Sequence, residues 1–280
     1  MITIIRRECK PTGMALLANL VFVFVAGLIT ALATGVGALP FFLVDDVSDR
    51  WNVALWGLAS GIMVSASVFG LIFEGLSSAN GGSVWGVALG MLIGVLLVVV
   101  SHRIISGAEV DPQQYEEADY KKLVLILGIL TVHSFPEGVA IGVSFADLGF
   151  QGAQFAGIAV PLLAIFMTIA ISIHNVPEGL AISIPLRSMG VSKWKMVWWS
   201  VFSSLPQPIG ALIAYYFVRV AREFLPVGFG FAAGAMIFLV ALEFIPEALE
   251  IGEDLPGQGH RELVSGIVAG VLLMVPLAII

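Results

Sequence analysis

Two short stretches carry the residues able to do chemistry: Thr131 to Gly138, TVHSFPEG, and, 41 positions later, Ser172 to Gly179, SIHNVPEG. In each, a histidine precedes a glutamate by four residues, pairing His133 with Glu137 and His174 with Glu178. On a helix, residues i and i+4 share a face about 6 Å apart along the axis, so each stretch aims an imidazole and a carboxylate the same way. Two such helices side by side offer two imidazoles and two carboxylates. That set suits zinc or a similar first-row divalent ion, whose charge the carboxylates neutralise. Both stretches lie in long apolar runs, where ionisable residues are costly and mark a pathway or a ligand site. Polar residues that merely hold helices together would explain one such pair more simply than two in register.

Pro136 and Pro177 stand between the paired residues. They cannot donate to the carbonyls of Val132 and Ile173, and they predict a kink in each helix. Gly138 and Gly179 follow, predicting that a neighbouring backbone approaches closely there.

The elements that must position these residues follow from composition. Of 280 residues, 59% are hydrophobic and 12% charged, and the mean hydropathy is +1.01. The charged fraction is about half that of a soluble globule, so the chain reads as an all-α polytopic membrane protein solvated by a lipid bilayer. The net charge of −7 gives no reason to expect a nucleic-acid partner. The single cysteine, Cys9, excludes an internal disulfide and a cysteine-based zinc site. Arg6, Arg7 and Lys10 precede the first apolar run, which is long enough to span and lacks a clear cleavage site. It is therefore read as a retained span.

Apolar runs of spanning length cover 14–38, 51–76, 84–105, 121–146, 155–186, 193–220, 226–250 and 261–280, eight transmembrane helices in one domain over 1–280. Eight spans place both termini on one side of the membrane. The segments after odd-numbered spans hold eight Lys/Arg and the other side five, which favours extracytoplasmic termini in a cell membrane, against the pull of the N-terminal cluster. Small residues four apart, at Gly57/Gly61, Gly86/Gly90/Gly94, Gly230/Gly234 and Gly266/Gly270, predict close helix packing. Trp51, Trp56, Trp194, Trp198 and Trp199 fall near span ends, at headgroup level.

The stretch from His102 to Lys122 is acidic, with Glu109, Asp111, Glu116, Glu117 and Asp119, and reads as a solvated loop. His102 and His260 are read as isolated loop histidines without a metal role. The second span ends GLIFEGL, Gly70 to Leu76, and the seventh contains EFIPEAL, Glu243 to Leu249. The recurrence suggests a 3+2+3 arrangement with an internal, inverted repeat around the central pair. Glu243 and Glu247 fit either a relay station or a cap on the seventh span.

With HSFPEG on the fourth span, HNVPEG on the fifth, LPQPIGA on the sixth, AAGAMIF and IPEAL on the seventh and ASGIM on the second, the chain resembles the ZIP (Zrt/Irt-like) family of divalent metal transporters, its prokaryotic branch above all. The resemblance covers nearly the whole chain, and the paired HxxPEG motifs are its specific part. It implies eight spans with both termini outside, and a metal site halfway across the bilayer built mainly by the fourth and fifth helices. A homodimer is compatible with it. Carried over position by position, the primary site uses Met63, His133, Glu137, His174 and Glu178. A second ion would sit on Ser134, Asn175 and Gln207, with Glu137 and Glu178 as bridges.

Here the chain departs from the pattern. Ser134 stands where the family usually has Asn, and Gln207 where the sixth span commonly has Glu. Both substitutes are neutral, which predicts one well-occupied site beside a weak or empty neighbour. A Met63 thioether would favour zinc, cadmium or similar ions over magnesium or calcium. The expected cargo is zinc, with cadmium, iron and manganese as further candidates, and no cofactor is expected.

No G-x-x-x-x-G-K-[ST] phosphate loop is present, so uptake would not be ATP-driven. Whether the chain works as a channel or by alternating access stays open. The rival readings are an intramembrane metal-dependent hydrolase and a metal sensor that moves nothing. The residues after His133 and His174 are Ser134 and Asn175, so neither motif has the general base of an H-E-x-x-H protease. The chain ends at Ile280 without a long tail, which speaks against a sensor with a soluble output domain.

Overall fold

The computed structural model describes residues 13–44, 47–77, 83–106, 118–149, 152–155, 157–188 and 190–275. Cys9, the N-terminal basic cluster and the acidic residues at 109, 111, 116 and 117 lie outside them. Among the described residues, eight long helices follow one another: α1 (Gly13–Val36), α2 (Asp49–Ser77), α3 (Ser83–Ser106), α4 (Ala118–Ser144), α5 (Leu162–Ser188), α6 (Lys193–Val220), α7 (Arg222–Ile251) and α8 (His260–Leu273). Six of these helical stretches are long and apolar enough to cross a membrane by length and composition.

The helix bounds lie within a few residues of the expected spans except at the end of the eighth, where α8 stops at Leu273 and 276–280 lie outside the described residues, and at the start of the fifth. There, Ala153–Phe155 (β1) and Ile158–Val160 (β2) form a small antiparallel hairpin, and α5 begins only at Leu162. Gly152 and Gly157 take positive φ, at 124° and 80°, and Pro161 precedes the first helical residue, so this apolar stretch is punctuated rather than helical. The connection after the third span is also shorter than the sequence suggests. His102 lies within α3, and Lys121 and Lys122 lie within α4.

Helices α4 and α5 run on through Pro136, Pro177 and Pro185 and lie against each other. Around them, α4 packs on α6, and α1 packs on both α5 and α6. On the other flank, α3 lies along α7 and α2 along α8. The small-residue rows make these two contacts: Gly90 and Gly94 meet the backbone at Val227 and Phe231, and Gly57 and Gly61 meet that of Leu263 and Ile267.

Two helices share a local irregularity. Helix α2 winds as a π-helix over Ala66–Ile72, and α7 does so over Val240–Phe244. An inserted π-turn rotates the residues beyond it relative to those before, and such turns gather at functional sites. The core between the helices is filled by Ile62, Met63, Leu71, Ile141, Met167, Phe229, Met236 and Phe244. Leucine, valine and isoleucine dominate the outward faces, for example Leu17, Leu32, Leu92 and Val268, as expected of helices solvated by lipid.

A candidate metal centre between α4 and α5

The i, i+4 spacing on α4 and α5 turns His133 and Glu137, and His174 and Glu178, inward, and all four side chains are buried. Three of them converge. His174 Nε2 stands 3.4 Å from Glu137 Oε1 and 3.6 Å from Glu178 Oε1, and one ligand atom from each residue lies within 4.8 Å of the others. Neither approach is a hydrogen bond: Glu137 Oε1, Glu178 Oε1 and both ring nitrogens of His174 have no hydrogen-bonding partner. Buried lone pairs left facing one another are expensive. A cation among them removes the cost, and a tetrahedral zinc ion with bonds of about 2.0–2.1 Å holds its donors roughly 3.3 Å apart, close to the spacing seen.

The neutral residues form the other half of the site. Helix α6 is interrupted at Ser204 and Leu205, and Gln207, in the first turn of its second segment Pro206–Val220, donates from Nε2 to Glu137 Oε2 at 2.5 Å. Asn175 Nδ2 donates to Gln207 Oε1 at 3.1 Å and to the Thr30 carbonyl of α1 at 2.8 Å. Glu137 is thus divided: Oε2 is tied to an amide, while Oε1 faces His174. On the other side, the ring of Phe244 lies 6.4 Å from the His174 ring and packs edge-on against Trp56 at 4.7 Å. Aromatic side chains from α7 and α2 thereby keep that side of the imidazole apolar, where electrostatic interactions are strong.

Two glycines make the approach possible. A Cβ on Gly138 would collide with the backbone carbonyl of Gln207, and one on Gly179 with that of Thr34. The first glycine brings α6, and with it the Gln207 amide, against Glu137. The second brings α1 against α5. This is the close backbone approach that the motifs predict.

Of the eight residues singled out from sequence, Glu137, His174 and Glu178 form the converging triad, and Gln207 and Asn175 form the hydrogen-bonded chain beside it. His133 is buried one turn before Glu137, outside that triad, with its Nδ1 unpartnered. Ser134 is buried on the same turn, and Met63 is fully buried in α2, one turn before the π-helical segment.

Three further polar groups escape the motif reading. Thr30 contributes a backbone carbonyl, which its side-chain type does not advertise. Ser67 has a buried, unpartnered hydroxyl inside the π-helical stretch of α2. His102 is not an isolated loop histidine: its Nδ1 is 2.8 Å from Glu243 Oε1, joining α3 to α7. Glu243 therefore pairs across helices within a continuous helical run rather than capping one. His260 is the first residue of α8, where its Nδ1 lies 2.9 Å from the Gly257 carbonyl.

A family model described as ZIP Zinc transporter matches residues 101–278. The zinc transporter GufA of Myxococcus xanthus is 30% identical over 257 residues, which is 89% of this chain and 94% of the relative. The zinc transporter ZupT of Corynebacterium glutamicum is 29% identical over 274 residues, 91% of this chain and 97% of the relative. A candidate zinc transporter of Arabidopsis thaliana is 40% identical over 222 residues, 79% of this chain, and the match spans 33% of that longer relative.

Proposed function

Since the chain belongs to the ZIP zinc transporter family, we propose that it carries divalent metal ions, zinc above all, through the membrane by way of Glu137, His174 and Glu178. It is a transporter, not an enzyme. The observation that carries the site assignment is the convergence of three buried ligand atoms that no hydrogen bond joins. His133 and Met63 complete the primary donor set in this reading, His133 from the preceding turn of α4 and Met63 from α2.

The driving force is the membrane potential. A divalent ion moving inward down an inside-negative potential gains about 4.6 kcal/mol per 100 mV, twice the single-charge value. The ion exchanges its water shell for two carboxylate oxygens and imidazole nitrogen, which cancel its charge where a bare divalent ion would be prohibitively costly. Gln207 makes this a one-ion site in our reading. Its amide holds Glu137 Oε2 and adds no charge, so Ser134, Asn175 and Gln207 offer a second divalent ion only neutral atoms.

The 3+2+3 plan is part of the same proposal, over one domain from 1 to 280. Met63 and Met236 stand 173 residues apart, as do Glu74 and Glu247, and the π-helical turns fall between them in each helix. Helices α2 and α7, as even and odd spans, run in opposite directions, which supports an inverted repeat. Both termini then lie outside a plasma membrane. Arg50, Arg103, Arg187, Lys193, Lys195 and Arg261 stand at the opposite, cytoplasmic end. The transporter is a candidate homodimer, and cadmium, iron and manganese are candidate cargoes.

Proteoliposomes loaded with a zinc-sensitive dye test the reading. Zinc should enter and accelerate as an inside-negative potential is imposed. Vesicles that bind zinc on the protein yet admit none would replace the importer with a sensor.

A further inference from the structure

At the end of the molecule where α2 and α4 finish and α5 and α7 begin lies a cavity of about 360 Å³, lined in part by Phe69, Glu74, Ser144, Asp147, Leu162 and Phe229. Ser144 lies seven residues beyond Glu137 on the same face of α4, about 10 Å along the axis. The cavity therefore approaches the metal centre from one side of the bilayer, the extracytoplasmic side in the orientation proposed above. Two of its lining residues are acids, and they differ in their surroundings. Arg222, in the first turn of α7, donates from Nη2 to Asp147 Oδ1 at 2.6 Å and to the Ala146 carbonyl at 3.2 Å. Glu74 is acted on by Asp147, another anion, and no base faces it among the described residues.

We propose that Arg222 sets the affinity with which this cavity admits divalent cations, by acting as a tethered positive charge that occupies Asp147. Resting on the transport reading, the inference names an affinity-setting residue outside the metal centre. With Arg222 in place, the cavity presents one uncompensated carboxylate, Glu74, to an arriving ion. A divalent cation that enters competes with the guanidinium for Asp147, and the two positive charges repel. Half-exposed and at the cavity rim, the pair can open without unpacking the core: the Arg222 and Asp147 side chains are 48% and 35% exposed. A chain with the guanidinium removed would hold a stronger local negative potential and concentrate cations there.

The test is zinc uptake by proteoliposomes at low and high ionic strength, resolved into KM and kcat, for the wild type, Arg222→Gln, Arg222→Lys and the exchanged double variant Asp147→Arg/Arg222→Asp. Arg222→Gln should lower KM about threefold or more at low salt with kcat little changed, and the gain should shrink as added salt screens the cavity. Arg222→Lys and the exchanged pair, which keep the net charge, should stay near the wild-type KM. An unchanged KM in Arg222→Gln, or a fall in kcat alone, would overturn the proposal and leave Arg222 as a structural clamp on the end of α4. A wild type that carries no zinc at all would instead remove the transport reading on which the inference rests.

Discussion

Glu137 Oε1, His174 Nε2 and Glu178 Oε1 face one another without a hydrogen bond between them, the arrangement from which the proposed affinity for a cation is argued. Removing one buried acid should therefore stabilise the metal-free protein while abolishing its response to metal. Glu178→Gln is expected to raise the metal-free Tm by a few degrees, and to lose the zinc-dependent Tm rise that ligand linkage gives the wild type, about 2.7 kcal/mol at a hundredfold excess over Kd. Thermal unfolding in detergent with and without zinc measures both. A second expectation concerns Gln207. Gln207→Glu places a further carboxylate against Glu137 and Asn175, and metal analysis of the purified protein should then rise from one ion per chain towards two. Gln207→Ala leaves Glu137 Oε2 and Asn175 short of a partner and should cost about 1–3 kcal/mol of stability. At this scale much was legible in the sequence, because i, i+4 spacing fixes which side chains share a face. The offset of His133 from the triad was not, since it depends on how α4 and α5 are set against each other. Nor was the Thr30 carbonyl, a backbone group that any residue could supply.

The elements succeed or fail at their closest approaches. Gly179 meets the carbonyl of Thr34 in α1, so even the single carbon of Gly179→Ala must push α1 and α5 apart. Overpacking of this kind costs about 1–3 kcal/mol and should lower both Tm and zinc flux. By contrast, Gly157→Ala has open space around it and should leave flux unchanged, any loss of stability coming from its positive φ. Paired measurements of Tm and uptake on the two variants separate these outcomes. The helices themselves were readable from apolar run length, and the glycine rows from their four-residue spacing. The π-helical turns of α2 and α7 were not, because their sequences, ASVFGLI and VALEF, carry no proline or glycine pair that announces them both. The hairpin before α5 hid inside an apolar run, although Gly152, Gly157 and Pro161 were there to mark it.

For the whole molecule, the proposed direction is argued from charge. Arg and Lys gather at the end where α3 and α5 finish, and the acid-lined cavity opens at the other. On a Cys9→Ser background, Gln154→Cys, on the exposed hairpin, should react with an impermeant thiol reagent from outside the cell. Ser192→Cys, exposed before α6, should react only after the membrane is opened. The reverse pattern would invert the orientation and make the cavity an exit. The alternation of spans and the charge bias were visible in the sequence; the cavity was not, since its lining comes from four helix ends that are distant along the chain. The central claim is that ions pass through the buried triad, and zinc flux into dye-loaded proteoliposomes under an inside-negative potential tests it most directly, comparing the wild type with His174→Ala and Glu178→Ala. Both variants should insert and fold yet lose at least about tenfold of the flux, the equivalent of 1.4 kcal/mol. Variants that keep the wild-type rate would contradict the account and put the pathway elsewhere in the molecule.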